Sequence, residues 1–308
     1  MTRNNYIILT SAILIFGTTA CTKDAGKANG TGSSMVLTSI ISKKYNDSVN
    51  IEYDDQNRPA IIRNKMVATW VSKYDTKNYV AEIRDTGVSS GGFVGIPIDV
   101  KYTFEHDNQG RITRVDYYDF LLVADTSHAL TYTIFTYYTD SVVNQTWIYD
   151  PTTGAYNTGT DKIHVRYINT GNNLNYETIS TVSGYPDTLV VSATYSDTYK
   201  NPLAMLPVEL ANYSSALFVA YYDTWFLMLD SKNIVETATQ DQRYYSDYFK
   251  SDVISQQTYS TSGIINDQVS EYPATMTQIT HSKFTVRSTG AVTTSDEQNI
   301  VEFDYAQQ

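Results

Sequence analysis

The sequence predicts a mostly β protein: a single antiparallel sheet of hairpins and meanders, open, curled or sandwich-like, with one helical insertion near residues 202–222. Three observations carry this. Of 308 residues 27 are tyrosine, and tyrosine and threonine favour pleated, half-buried surfaces, whereas the strong helix formers are sparse. Short runs alternate with period two, the spacing that puts successive side chains on opposite faces of a strand. Between these runs lie Asp/Asn/Gly clusters, which supply the turns of β-hairpins.

The elements follow in order. Val49–Tyr53, the turn 54–57 and Arg58–Ile62 form one hairpin signature, and Val100–Phe104, the turn Glu105–Gly110 and Arg111–Tyr118 form a second. Gly110 supplies a positive φ at no steric cost, as a bulged hairpin loop requires. Thr131–Tyr138 places Tyr132, Ile134, Thr136 and Tyr138 on one face and Thr133, Phe135 and Tyr137 on the other. Trp147–Tyr149 runs into Asp150-Pro151-Thr152-Thr153-Gly154, Ile163–Ile168 into Asn169–Asn173, and Lys283–Arg287 into Ser288-Thr289-Gly290. Leu189–Tyr195 and Ile300–Tyr305 read as further strands. Hairpins join neighbours, so the sheet is expected to be antiparallel.

Asn201-Pro202 breaks the pattern. Asn at the cap and Pro in the first turn start helices well. Pro207 cannot lie deep inside one helix. A short turn at 202–206 and a helix from Pro207 are therefore expected, with Leu210, Tyr213, Ser214, Leu217 and Tyr221 sharing a face. The expected place of this helix is over an open end or face of the sheet.

The N-terminal end has a different character. Arg3 heads an apolar run, Ile7–Leu9 and Ala12–Phe16, and the small residues Gly17–Ala20 lead to Cys21, the one cysteine. That order is the order of a secretory signal, too short to span a bilayer stably. With cysteine at its exit it resembles the lipobox of bacterial lipoproteins, although Thr18 stands where leucine is usual. The resemblance implies that Cys21 is acylated and becomes the new N-terminus. Residues 1–20 then form a lipoprotein signal peptide, 21–35 a flexible tether rich in Gly, Ser and Asn, and 36–308 one β domain.

Tyr102–Val115, YTFEHDNQGRITRV, is similar to a YD-type hairpin, and Ile51–Ile62 is a weaker copy without the glycine. Tyr195–Leu203, YSDTYKNPL, resembles a segment midway through a family of β-rich lipoproteins of Gram-negative commensals. That family is known as a domain of unknown function with a porin-like fold. The resemblance spans roughly residues 40–305, one domain of ordinary size. It implies secretion, lipid anchoring and an extended antiparallel sheet, and it carries over no catalytic residue.

Charge narrows the partners. The formal net charge is −11, which argues against nucleic acid and against an anionic membrane surface as ligands, since both need a basic face. The membrane is expected to be reached through the lipid anchor alone. A lone cysteine leaves no internal disulfide and no thiolate metal site. His106, His128, His164 and His281 are scattered singly, without zinc spacing. Asp107-Asn108-Gln109-Gly110 lacks the distal glutamate of a calcium loop. Ser89-Ser90-Gly91-Gly92 is Gly-rich but precedes no helix pattern. Neither a metal nor a cofactor is expected.

Paired carboxylates would suggest glycoside hydrolysis. Glu302 and Asp304 share a strand face, and Asp116 and Asp119 fall on opposite faces. Neither pair stands out from the 33 acidic residues. Aromatic residues are the better lead, because rings stack on the apolar faces of sugars and on peptide side chains while tyrosine hydroxyls hydrogen-bond. Trp147, Tyr149, Tyr137 and Tyr138 are the candidate ligand-binding residues. The expectation is a non-catalytic cell-envelope lipoprotein at the outer membrane, surface-facing or periplasmic, that binds glycan or peptide or serves as a structural surface component. The alternative is a polysaccharide-degrading hydrolase of the envelope.

Overall fold

A computed structural model describes residues 35–88, 96–122, 127–139, 141–169, 175–182, 185–220, 233–246, 251–266 and 271–307, with the side chains of 159–187, 218–220 and 245–246 left aside. Cys21, the tether 22–34, Ser89–Gly92 and Tyr221–Tyr222 lie outside the described residues.

Sixteen strands form one antiparallel sheet in which each strand pairs with its neighbours in sequence. They are β1 (Met35–Ser42), β2 (Asp47–Tyr53), β3 (Pro59–Arg63), β4 (Val67–Tyr74), β5 (Val80–Val88), β6 (Pro97–His106), β7 (Ile112–Asp119) and β8 (Thr131–Tyr137). The second half comprises β9 (Ser141–Asp150), β10 (Ala155–Asn169), β11 (Asn175–Val182), β12 (Tyr185–Lys200), β13 (Asn233–Ser246), β14 (Ser251–Asn266), β15 (Pro273–Val286) and β16 (Ala291–Gln307). The curl goes to completion. β1 pairs with β16, from Met35 opposite Gln307 to Ser42 opposite Val301, and the sheet closes into a barrel. Closure gives every described strand a partner on both sides, which protects its edges from aggregation.

Turn chemistry at one end of the barrel repeats. In the β2–β3, β4–β5 and β6–β7 turns an aspartate, Asp54, Asp75 or Asp107, accepts N–H bonds from residues two and four further on, at 2.7–3.0 Å. The residue three further on has positive φ: Asn57 at 59°, Asn78 at 64°, Gly110 at 80°. Asparagine thus replaces glycine in two of the three turns, as it tolerates that region best among the other residues. Arg58 and Arg111 close the first and third turns onto Asp54 and Asp107, each at 2.7 Å. They also lie over Tyr74 and Tyr137, at 4.1 and 4.3 Å. Burial works against ionisation, but the arginine and the N–H donors outweigh it and hold both carboxyls below their usual range.

The two faces of the wall have opposite character. Inward-facing Ile40, Val49, Ile51, Ile62, Val67, Ile83, Phe104, Val115, Phe135, Val142, Met276, Val301 and Phe303 belong to one buried cluster. Outward on the same strands lie Glu52, Arg63, Arg84, Lys101, Arg114, Asp116 and Glu302, several in ion pairs. The helical insertion lies on the inner side. Pro202–Met205 forms a 3-10 turn capped by the Asn201 side chain, which accepts from Leu203 N–H at 3.0 Å. Then come α1 (Val208–Tyr213) and α2 (Ser215–Ala220). Leu203, Leu206, Leu210, Tyr213, Ala216 and Leu217 join the inward-facing cluster. The insertion is thus a plug packed on the inner face of β1–β6, and a face of the sheet is one of the two places the sequence allowed it. The single long helix expected from Pro207 is also broken. Ser214 takes an extended backbone (φ −74°, ψ 112°) and its hydroxyl accepts from Leu217 N–H at 3.3 Å, ending α1 and starting α2.

Candidate functional site

The four aromatic candidates separate. Trp147 and Tyr149 stand two apart on β9, share its outward face and are half-exposed. Adjacent strand residues point to opposite faces, so Tyr137 and Tyr138 cannot act together. Tyr137 points inward: its hydroxyl donates to the Ile112 carbonyl at 2.9 Å, and its ring packs on the core. Tyr138 follows the end of β8 and is exposed, with Tyr138 N–H donating to the Ser141 carbonyl at 2.8 Å.

Register assembles a different group around Trp147. Tyr132 of β8 lies opposite Trp147, and Tyr156 of β10 lies opposite Tyr149. Tyr132 and Trp147 stack at 5.0 Å with 11° between their planes. Tyr156 meets Tyr132 edge-on at 4.8 Å and Tyr149 at 5.3 Å. His128 stacks on Tyr149 at 5.0 Å and 7°. The Arg114 guanidinium covers the far face of Tyr132 at 4.3 Å and is held at 2.7 Å by Asp116. Tyr156 is fixed by donating its hydroxyl to the Ala129 carbonyl at 2.9 Å.

One face of Tyr132 is therefore taken by Arg114 and the other by Trp147. On β10 the register partner of Trp147 is the small, exposed Thr158. Trp147 and Tyr156 are half-exposed there. Tyr132, Tyr156, His128 and Arg114 were not singled out from the sequence. The alternation put Tyr132 on a face, but only the cross-strand register brings it to Trp147.

Among the described residues, two polar clusters join the wall to the insertion. The first is the pair His106 Nε2–Glu209 Oε1 at 2.5 Å, in which both side chains are only 3% exposed. It ties the end of β6 to α1, and Tyr79 packs on the imidazole at 5.0 Å. The second is at mid-height. Asp85 of β5 is fully buried, and its Oδ2 accepts from Ser215 N–H at 3.0 Å. Thr69 Oγ1 and Ser214 Oγ share a hydrogen bond at 2.7 Å beside it. Burial pushes the Asp85 carboxyl up to about 6, against the opposing pull of the Ser215 and Thr69 donors. Asp85 Oδ1 meets no donor at hydrogen-bonding geometry. Nearer the top of the short strands, Asn64 Nδ2 donates to the Ala216 carbonyl at 2.9 Å. Together these bonds lock the plug along its length.

The remaining sequence candidates fall as follows. Asp116 faces outward and Asp119 inward, where Tyr117 donates to Asp119 at 3.1 Å. Glu302 pairs with Lys43 at 2.6 Å on the outer wall. His281 Nδ1 lies 2.8 Å from Asp296 on the outer face of β15 and β16. The His164 side chain lies outside the described ones. Among the described residues no group of three His, Cys, Asp or Glu is arranged to hold a metal ion.

No protein-family model matches the chain, and no curated protein matches it. Among solved structures it is similar to a porin-like protein from Bacteroides uniformis, at 12% identity, with 88% of this chain and 98% of that one covered and a TM-score of 0.35. It is likewise similar to a porin-like protein from Bacteroides vulgatus, at 10% identity, with 89% and 99% covered and a TM-score of 0.37.

Proposed function

We propose that this protein is a non-catalytic cell-envelope lipoprotein, moored through Cys21, that binds glycan or peptide on its outer wall. The observation that supports this is the half-exposed ring cluster of Trp147, Tyr149, Tyr132 and Tyr156 on the outer wall. Stacking on such a face suits the apolar side of a sugar ring or a peptide side chain, and the neighbouring hydroxyls and guanidinium offer hydrogen bonds.

The test is a glycan- and peptide-array screen of the full chain carrying Cys21→Ser, beside the same chain with Trp147→Ala. The reading expects hits that vanish with Trp147→Ala and are not turned over. Release of a cleaved product sinks it in favour of a hydrolase. A second reading has its own observation: the Arg114–Tyr132–Trp147 stack closes two of the ring faces on one another, as in a cross-strand ladder that only stiffens the wall. It expects Trp147→Ala to lower the melting temperature and to change binding of nothing on the array.

A further inference from the structure

The two faces of β13, β14 and β15 differ in charge. Outward stand Asp241, Arg243, Asp252, His281 and Lys283. Inward, the same strands carry a band of amides and hydroxyls. Gln240 of β13 lies opposite Gln257 of β14, and Gln257 lies opposite Ser282 of β15. Thr280 and Ser255 stand two residues from Ser282 and Gln257 and so share their face. The face is the inner one, because Ala238, Tyr259 and Met276 continue it into the buried cluster. Among the described residues Ala238–Tyr244, Val253–Tyr259 and Met276–Val286, no charged side chain falls on it. Glu297 of β16, opposite Thr280, is paired with Lys44.

This band serves the core poorly. It separates the buried Ala238, Tyr259 and Met276 on one side from the buried Val253 and Val286 on the other. Gln240 is only 8% exposed, yet its Oε1 meets no donor. An amide oxygen buried in this way costs stability unless something bonds to it. Solvent reaches the band beside it, since Gln257, Ser255 and Ser282 are half-exposed. The Gln257 Oε1 accepts from the Tyr259 hydroxyl, which leaves Nε2 as the donor end of that side chain. A free acceptor and a donor therefore stand on facing positions of adjacent strands, about 5 Å apart at Cβ.

We infer that this inner band is a binding site for a small, uncharged saccharide, whose hydroxyls donate to Gln240 Oε1 and accept from Gln257 Nε2. The chemistry of the face selects that class. An ionised ligand would give up its hydration here for no opposite charge. A peptide binds a sheet chiefly by adding a strand to an open edge, and every described strand has partners on both sides. Sugar hydroxyls both give and accept, as a set of amides and hydroxyls requires. Half-exposed Phe284, opposite Ser255, adds a ring on the same face for the apolar side of the sugar. The site lies on the other side of the wall from the Trp147 cluster and does not depend on it.

The test uses glucose, galactose, mannose, xylose, N-acetylglucosamine and their disaccharides. Each is screened by saturation-transfer NMR against the full chain carrying Cys21→Ser, and the hits are titrated calorimetrically. At least one is expected to bind. Gln240→Leu should weaken it about tenfold, the scale of one lost hydrogen bond. The same variant should raise the melting temperature of the free protein, because the donorless oxygen is gone. Gln257→Glu keeps the acceptor for Tyr259, deletes the donor and should weaken binding by a similar factor, which keeps the test open if Gln240→Leu does not fold. Trp147→Ala should leave the affinity unchanged. Affinity untouched by both inner variants overturns the site, as does a melting temperature lowered by Gln240→Leu, which would give the amide a structural role. Loss of binding in Trp147→Ala alone moves the sugar to the outer wall, so the inner site falls while the outer reading stands. Failure of every sugar to bind also overturns the inner site.

Discussion

Replacing Asp85 by asparagine tests whether the plug is held at the cost of a buried charge. The carboxyl is fully buried between β5 and the start of α2, with its pKa raised from 3.8 to about 6. The folded state therefore binds the proton more tightly than the unfolded one. The stability contributed by the neutral acid is complete below 3.8 and is lost as pH rises through about 6. The gap corresponds to about 3 kcal/mol between the two limits. Between about pH 8 and about pH 5 roughly half of it, some 1.4 kcal/mol, should be recovered. In Asp85→Asn this contribution disappears. The amide oxygen still accepts from Ser215 N–H, and nothing at the site ionises. Equilibrium urea unfolding at several pH values reads the result, with the difference between parent and variant removing other titrating groups. The parent should gain stability on acidification relative to the variant, and the variant should be the more stable at about pH 8. Parallel curves across that range would refute the argument and put the Asp85 charge in contact with water.

Further outcomes follow from other named contacts. Gly110→Ala should cost about 1–3 kcal/mol, because φ is +80° and the added Cβ would lie 2.4 Å from the Tyr79 hydroxyl. Gly154→Ala, at φ +68° with nothing within 4 Å of the new carbon, should cost only about 1 kcal/mol, and thermal melts of the two variants read the difference. Glu209→Ala should cost about 1–3 kcal/mol by urea unfolding, since it leaves the buried His106 Nε2 without its partner, and a double-mutant cycle with His106→Ala should return a coupling of about 1–3 kcal/mol. Additivity in that cycle would mean the two side chains do not depend on one another. Cys21→Ser should move the protein from the membrane fraction to the soluble fraction of its host, and retention in the membrane would show an attachment other than an acyl chain.

Local signals in the sequence carried far, and non-local ones did not. The hairpins at 51–62 and 102–118, the positive φ at Gly110 and the Asn201–Pro202 start all depend on residues within a few positions of one another, and the structure has them. Closure depends on Met35 meeting Gln307 across nearly the whole chain, and no local pattern encodes that. The plug shows the same limit. Its apolar face was legible, but not whether the sheet would receive it from outside or enclose it. Asp85 was missed because the face count fails upstream of it: Val80 and Ile83 are both buried although three apart, beside a register shift between β4 and β5. The Tyr137–Tyr138 pair was misleading for the opposite reason. Two adjacent rings look like one patch in sequence, and a strand necessarily divides them between core and solvent.

The division of polarity across the wall decides how such a barrel meets its surroundings. A barrel that spans a membrane turns its apolar residues outward and its polar residues to the lumen. Here the order is reversed from β2 to β7. The lumen side holds Val49, Ile62, Ile83, Phe104 and Val115 against a plug of leucines, while Arg63, Arg84, Lys101 and Arg114 stand outside. Each arginine or lysine turned toward lipid costs about 2–4 kcal/mol at mid-bilayer depth. Four of them would cost as much as an ordinary domain's entire stability. This part of the wall therefore stands in water, and the plug does for its shape what lipid does for a membrane barrel. A wall built to face water has no solvation reason to carry clustered half-exposed rings.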